Sequence, residues 1–373
     1  MNEMKKQISA ITAMRGMGAL GVIGIHVGGM YLNNPTPNLW LVALYDEASR
    51  YAVPIFFFLS AFGLFYKLDL KEKFDYIGML RRRLKAVLLP YLTWSFFYLW
   101  HTSYWYDTPF PSDKLPETLI FGLAKYHIYF LVILIWFYLL MPLWVEIVKR
   151  LTEKWLILLL FIQIAVNYAL CYSSNLYLFQ TSLPEGSWLQ LAIMHRLNYW
   201  VLFYFFTFLL GAYLAQRFDL FMWVLKEKYV KITIFFVVAL AFQLGHYFYL
   251  INSGRTALEA IFTAHQLSPF GVLYTIASCL FFFWLFTYKL TSGRIYSTIE
   301  TVGKHSYFIY LVHPLFLTIA SLKFSLTGTV VTGGLSIGVY VGALICSLVF
   351  AVIFQKIAEF APILGLLVLG KKR

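Results

Sequence analysis

Ala13-Met14-Arg15-Gly16-Met17-Gly18-Ala19-Leu20-Gly21-Val22-Ile23-Gly24-Ile25-His26 begins the apolar part of this chain, and the rest is read outward from it. The run it belongs to, 11–31, is long enough to cross a bilayer, which takes roughly 20 mostly apolar residues. Arg15 and His26 are its ionisable side chains, and such groups inside a span are costly enough to be functional hypotheses by default. They stand eleven residues apart. At about 100° per residue that is three turns and a further ~20°, so both point to one helix face, about 16 Å apart along the axis. Gly16, Gly18, Gly21, Gly24, Gly28 and Gly29 thin the same helix. They allow either a neighbouring helix or an extended ligand to come close. The run is longer than the apolar core of a signal peptide and has no A-x-A-like cleavage site, so a retained first span is expected.

Composition makes the same point for the whole chain. Of 373 residues, 61% are hydrophobic, 20% aromatic and only 13% charged, and the mean hydropathy is +0.72. Soluble domains carry about 25% charged residues, which excludes an ordinary cytosolic enzyme. The wealth of Phe, Tyr, Trp and Leu excludes disorder. A net charge of +13 would suggest nucleic acid in a soluble protein. Here the Lys/Arg bias of cytoplasmic loops accounts for it, and no nucleic-acid partner is expected. Cys171, Cys279 and Cys346 lie in apolar runs without metal or disulfide spacing and read as core residues.

Ten runs qualify as spans: 11–31, 51–67, 85–106, 127–147, 155–173, 199–217, 231–251, 269–289, 306–323 and 329–354. With alternating direction and a cytoplasmic N-terminus, 23 of the 30 Lys and Arg fall in cytoplasmic segments and six in external ones, with Arg15 inside the first span. Such asymmetry is the signature of a correct span count. The expectation is an all-α integral membrane protein with about ten transmembrane helices in one bundle. It is multi-pass in a bacterial plasma membrane, with both termini cytoplasmic and residues 1–373 forming a single domain.

Three further groups bear on chemistry. Arg81-Arg82-Arg83-Leu84-Lys85 is either a topology signal or a site for nucleotide phosphates, where Arg offers forked donors and Lys a point charge. His313, followed by Pro314, lies in the ninth run, where the proline removes a backbone donor and should kink the helix. His313 is either structural or a lining group of the cavity such a kink opens. Asp46 and Glu47 follow the first span, and either could fold back as the carboxylate partner that orients His26. The remaining histidines lack the i,i+4 spacing of a metal pair, so no metal site is expected.

Together these segments resemble the acyltransferase type 3 family of bacterial membrane proteins. Arg15 and His26 fit its first-helix Arg-x10-His pattern. Ile55-Phe56-Phe57-Phe58-Leu59-Ser60-Ala61-Phe62 is similar to its second helix, with Ala61 where glycine is usual. Arg83 to Tyr91 resembles the basic entry to its third helix. Tyr126 to Leu131 with Tyr138 to Pro142 resembles the fourth, and Ser306 to Pro314 the closing signature. Tyr204-Phe205-Phe206, Gly211-Ala212-Tyr213 and Gln266-Leu267-Ser268-Pro269 are similar to members associated with poly-N-acetylglucosamine adhesion systems.

The resemblance implies transfer of an acyl group, acetyl or succinyl, from cytoplasmic acyl-CoA to a hydroxyl of a cell-surface polysaccharide. His26 would be the base and Arg15 a required residue, with Arg15, Arg81, Arg82, Arg83 and Lys85 gripping the coenzyme's phosphates. Its Arg-x-x-Arg element finds Ala86 after Arg83, or reads as Arg82-x-x-Lys85 in the other register. The pantetheine arm would run up the glycine-lined face. Acyl-CoA is then a co-substrate, and no tightly bound cofactor is expected. The acceptor glycan would be delivered by loops or by partners such as a polysaccharide synthase complex, because the fused extracellular domain of some relatives is not expected here. The rival reading is a polysaccharide exporter or flippase without acyl transfer, which the abundant Trp and Tyr would suit. Against it, no repeated half or pair of broken helices is legible in the sequence.

Overall fold

The computed structural model describes residues 3–172 and 174–371. Lys372 and Arg373, and the side chains of Lys5 and Lys6, all counted above for sidedness, lie outside the described residues. The described residues form α-helices, a few 3₁₀ turns and one π turn, without strands. In chain order the helices are α1 (Glu3–Tyr31), α2 (Leu39–Tyr45), α3 (Ala52–Phe65), α4 (Tyr76–Tyr106), α5 (Leu115–Phe121), α6 (Tyr129–Leu139), α7 (Met141–Arg150), α8 (Glu153–Tyr172) and α9 (Ser174–Ser182). There follow α10 (Trp188–Met194), α11 (Phe205–Gln216), α12 (Phe218–Glu227), α13 (Tyr229–Asn252), α14 (Ala257–Thr263), α15 (Pro269–Trp284), α16 (Gly293–Thr327), α17 (Gly333–Phe360) and α18 (Pro362–Leu369).

Among the described residues seven helical segments are long and apolar enough to cross a membrane, or nine if each of two bent pairs is one span. Each of the ten runs read from the sequence falls on a helix or a bent pair, and the differences have local causes. The run 85–106 lies in α4, whose first third carries Arg81, Arg82, Arg83 and Lys85 and whose remainder is rich in Tyr and Trp, so it is not among the seven. The run 127–147 is α6 and α7, bent by 64° at Leu140, where Pro142 in the first turn of α7 disfavours helix in the residues before it. The run 199–217 begins in 3₁₀ turns and becomes helical only at Phe205, and α11 meets α12 at 97°.

The run 306–323 is the middle of α16, 35 residues long. Its polar first third continues the helix through such i,i+4 pairs as Glu300 with Lys304, 2.8 Å apart. Pro314 does not end it. Of the cysteines only Cys279 is buried, and Cys346 is exposed on α17, so the core reading fails for Cys346.

The helices group into two compact units, Met1–Lys67 with Thr207–Val352 and Leu68–Phe206 with Ile353–Arg373. In the first, α1 lies along α16, α3 and the 3₁₀ turn Glu47–Ser49. Ala19, Ile23 and Val27 of α1 interleave with Val302, Ile309 and Leu317 of α16. Where lipid is as apolar as the side chains, close packing rather than escape from water holds helices together, and small residues permit it. Gly16 and Gly303 supply that here. A Cβ on Gly303 would stand 1.8 Å from the Thr12 carbonyl oxygen, and one on Gly16 would stand 2.1 Å from that of Ile299. Tyrosines bond the other faces of α1, as Tyr340 donates to the Leu20 carbonyl (3.1 Å) and Tyr51 to that of Met17 (3.3 Å).

In the second unit α18 packs on α4, with Trp94 Nε1 donating to the Val368 carbonyl at 3.2 Å. Helix α8 is held by one polar knot. The Gln163 amide donates to Asn167 (2.7 Å) and to the Leu202 carbonyl (2.8 Å) and accepts from the Phe206 amide (3.0 Å).

Candidate active site

Helices α1 and α16 run parallel in one register. Ser9 and Tyr296 bond through their hydroxyls across 287 residues of sequence. Gly16 lies against Gly303 at the same offset, and so does His26 against His313. Ser9 also donates to Glu300 at 3.0 Å. The bonds at one end and the glycines at the closest approach fix the register, and ten residues beyond Gly16, about 15 Å along the axis, the two histidines face each other. Their ring centroids are 5.3 Å apart and their planes differ by 17°.

His313 is fully buried and His26 half-buried. His313 Nδ1 lies 2.9 Å from the carbonyl oxygen of Ile309, one turn back. A carbonyl can only accept, so Nδ1 carries the proton and the lone pair of the neutral ring is on Nε2. Histidines that must present one nitrogen are held in this way.

Beside the pair lies a buried ionic cluster on the turn after α2. Asp46 and Glu47 are 2% and 0% exposed and Arg50 is 9% exposed. The Arg50 guanidinium bonds the Asp46 carboxylate and its Nε lies 4.0 Å from Glu47. It also donates to Gln266 Oε1 (3.1 Å) and to the Ile261 carbonyl (2.9 Å). Gln243 of α13 donates from its amide to Glu47 and to the Ala264 carbonyl. Two carboxylates sharing one guanidinium are tolerable inside a bundle only with these extra donors. Arg50 is close enough for its charge to act on His26 and on His265. His265, in the loop before α15, accepts from the Leu267 amide at 3.0 Å. Burial, and then Arg50, push its imidazole down to about 3, so it is neutral throughout the ordinary pH range.

The structure thus brings His26, His313, Asp46 and Glu47 into one unit. The carboxylates' bonds go to Arg50 and Gln243, the groups that sequence reading missed. Arg50 was counted only as an external charge, although Asp46-Glu47-x-x-Arg50 places it at i+4 and i+3 from the two carboxylates, on one side of a helical turn. Arg15 is exposed on α1. The glycine face of α1 is occupied by protein. Gly16 lies against α16, Gly18 against Phe56, Gly21 against Ala52, and Gly24 and Gly28 against Tyr45, while Gly29 opens to space. Of the two uses foreseen for these glycines, the structure shows close packing of neighbours, and this corrects the expected path for a ligand arm.

Arg81, Arg82, Arg83 and Lys85 lie together on α4 of the second unit. Arg81, Arg82 and Lys85 are exposed, with Arg82 3.9 Å from an exposed Asp75. Arg83 is half-buried, its guanidinium 5.8 Å from the centre of the Tyr138 ring.

Fold and site together define a multi-pass helical membrane protein built around ionisable groups inside its first and penultimate long spans. The chain belongs to the acyltransferase type 3 family, whose profile, described as an acyltransferase domain, matches residues 8–356. It is similar to the "probable poly-beta-1,6-N-acetyl-D-glucosamine export protein" of Staphylococcus aureus strains MRSA252 and MSSA476. Identity to each is 26% over 238 residues, covering 64% of this chain and 62% of the relative, so the match spans somewhat less than two thirds of those proteins. No solved structure matches.

Proposed function

We propose that the protein is a membrane O-acyltransferase that moves an acetyl or succinyl group from acyl-CoA to a hydroxyl of a cell-surface polysaccharide. The observation that carries this reading is the imidazole pair, His26 on His313, seated in apolar helices beside a buried charge cluster. His26 is the less buried member of the pair and the base. In neutral form it takes the proton of the sugar hydroxyl as the oxygen attacks the thioester carbonyl. The C–O bond forms, the C–S bond breaks, and the imidazolium returns the proton to the leaving thiolate, which restores the neutral base.

The exposed cations on α4 suit a coenzyme's phosphates. A poly-N-acetylglucosamine-type polymer is the favoured acceptor class, on the strength of the relatives' names. Those names also support a second reading, glycan export without chemistry. Thioester turnover separates the two, because an exporter has no use for coenzyme A. Purified protein in liposomes is given acetyl-CoA or succinyl-CoA, and donor binding and free thiol are measured for wild type and His26→Ala. Binding of one donor with thiol release abolished in His26→Ala is the expected result. Folded protein that binds neither donor, or turnover that survives in His26→Ala, overturns the proposal.

A further inference from the structure

Nothing in the reaction as written uses His313, yet its ring is stacked against that of the base. Three features of its setting go beyond what packing requires. A fully buried imidazole in an apolar helix is an expensive way to fill space that Leu or Phe would fill without polar atoms. Its tautomer is fixed by the bond from Nδ1 to the Ile309 carbonyl, 2.9 Å long. Its plane lies within 17° of that of His26 at 5.3 Å between centroids. The constant register of α1 and α16, set by Ser9 with Tyr296 and by Gly16 with Gly303, delivers that geometry from a distance.

Other groups around the pair act differently. Arg50, whose charge reaches His26, is engaged by Asp46, Gln266 and the Ile261 carbonyl, and Glu47 by Gln243. Tyr310 stands 6.4 Å from the His313 ring and presents no charge.

We infer that His313 is a positioning residue for the base: its locked, neutral ring stacks on His26, fixes the plane of that imidazole, and stabilises the imidazolium formed when His26 takes the hydroxyl proton. A neutral π-face beside a developing cation is favourable, and most so where water is excluded. His313 takes no proton itself and touches neither substrate, and the atoms balance as in the transfer above. This role belongs to the transition state more than to the bound ground state, so its loss lowers kcat and leaves donor affinity alone.

The inference rests on His26 acting as the base, and one experiment keeps the two separable. Wild type, His26→Ala, His313→Ala and His313→Phe are purified in liposomes, shown to be monodisperse, and assayed for thiol release and for the donor dissociation constant. His313→Ala is expected to lose kcat by about 10²-fold, with the donor dissociation constant within twofold of wild type. His313→Phe keeps the flat ring and is expected to recover about tenfold of that loss. Its near-isosteric fill also keeps the test alive if the alanine variant fails to fold, the expectation then being kcat about tenfold below wild type. Wild-type kcat in His313→Ala with His26→Ala inactive sinks the inference and spares the base. Parallel loss of donor binding and kcat, or no recovery in His313→Phe, also sinks it. Turnover persisting in His26→Ala removes the reading on which both depend.

Discussion

Helices α1 and α8 are both apolar and of spanning length, yet they lead opposite lives. The apolar window of α1 is 61% buried within the protein and that of α8 only 11%. The difference follows from what each sequence permits. Helix α1 spends its small residues on contact, bringing backbone against backbone at Gly16 and Gly303, and it carries Arg15 and His26. Helix α8 offers Trp155, Ile157, Leu158 and Phe161 outward, and its polar residues Gln163 and Asn167 are consumed in fastening it to the turn at Leu202. Hydropathy passes both helices as spans and says nothing of which one is walled by protein. A span that is apolar on all sides can face lipid, whereas one interrupted by glycine and ionisable groups has to be walled by its own protein.

The sharpest way to break the comparison is at the α1–α16 contact. Gly303→Leu places a side chain where even a Cβ would meet the Thr12 backbone, so its cost should exceed the ~1–3 kcal/mol of ordinary overpacking. Fluorescence-detected gel filtration should show lost or aggregated protein. Gly29→Ala, on α1 with no neighbour near its Cβ, should hold its melting temperature or raise it slightly, as Gly-to-Ala in a helix is worth about 0.5–1 kcal/mol. Equal tolerance of both substitutions would mean that α1 is not walled as described.

Next in size is Arg50→Ala. It strands Asp46 and Glu47, at 2% and 0% exposure, and breaking a buried pair typically costs about 3–5 kcal/mol. Thermal melting in detergent should fall by many degrees, and Arg50→Lys should recover only part, because one ammonium cannot span Asp46, Gln266 and the Ile261 carbonyl. In the second unit the outcome should invert. Arg81→Glu with Arg82→Glu alters two exposed side chains and should move stability by no more than about 0.5 kcal/mol. The donor KM should nevertheless rise more than kcat falls, a split read from initial rates at varied acyl-CoA.

The smallest effect should come from the cap of α14. Glu259 closes a capping box with Thr256, and bonds from the Thr256 amide and hydroxyl hold its carboxyl below the usual value. A lowered carboxyl pKa means that this increment of stability is present above the unfolded pKa and is lost as pH falls through the folded one. Glu259→Gln should therefore melt slightly lower than wild type at pH 7, with the gap closing as the pH is lowered into the acid range.

Much of this was legible in residues 11–31 alone. A glycine-rich apolar run holding an arginine and a histidine is a membrane span under a demand that lipid cannot meet. Span positions elsewhere were legible because about 20 apolar residues have few other uses. Bends were less so. The 64° break after Leu140 was written in Pro142, but the 97° turn at Arg217 has no proline to announce it. Within the site, His26 was readable from its setting in the span, and His313 from its place beside Pro314. That they form a pair was not, because nothing in either helix states a register that links residues 287 apart in the chain. Arg50 escaped for a related reason, since a charge just outside an apolar run looks like any loop charge until Gln243, Gln266 and Ile261 close around it.

By itself the sequence determined that the chain lives in a bilayer, where its helices lie, and which groups are costly to place there. Those are local properties, fixed by the transfer free energy of each side chain and by the 3.6-residue turn. The tertiary structure alone decided that the glycine face belongs to α16, α3 and the α2 turn, that Asp46 and Glu47 answer to Arg50, and that His26 meets His313. Those depend on how closely backbones can approach, and that is set jointly by two distant segments.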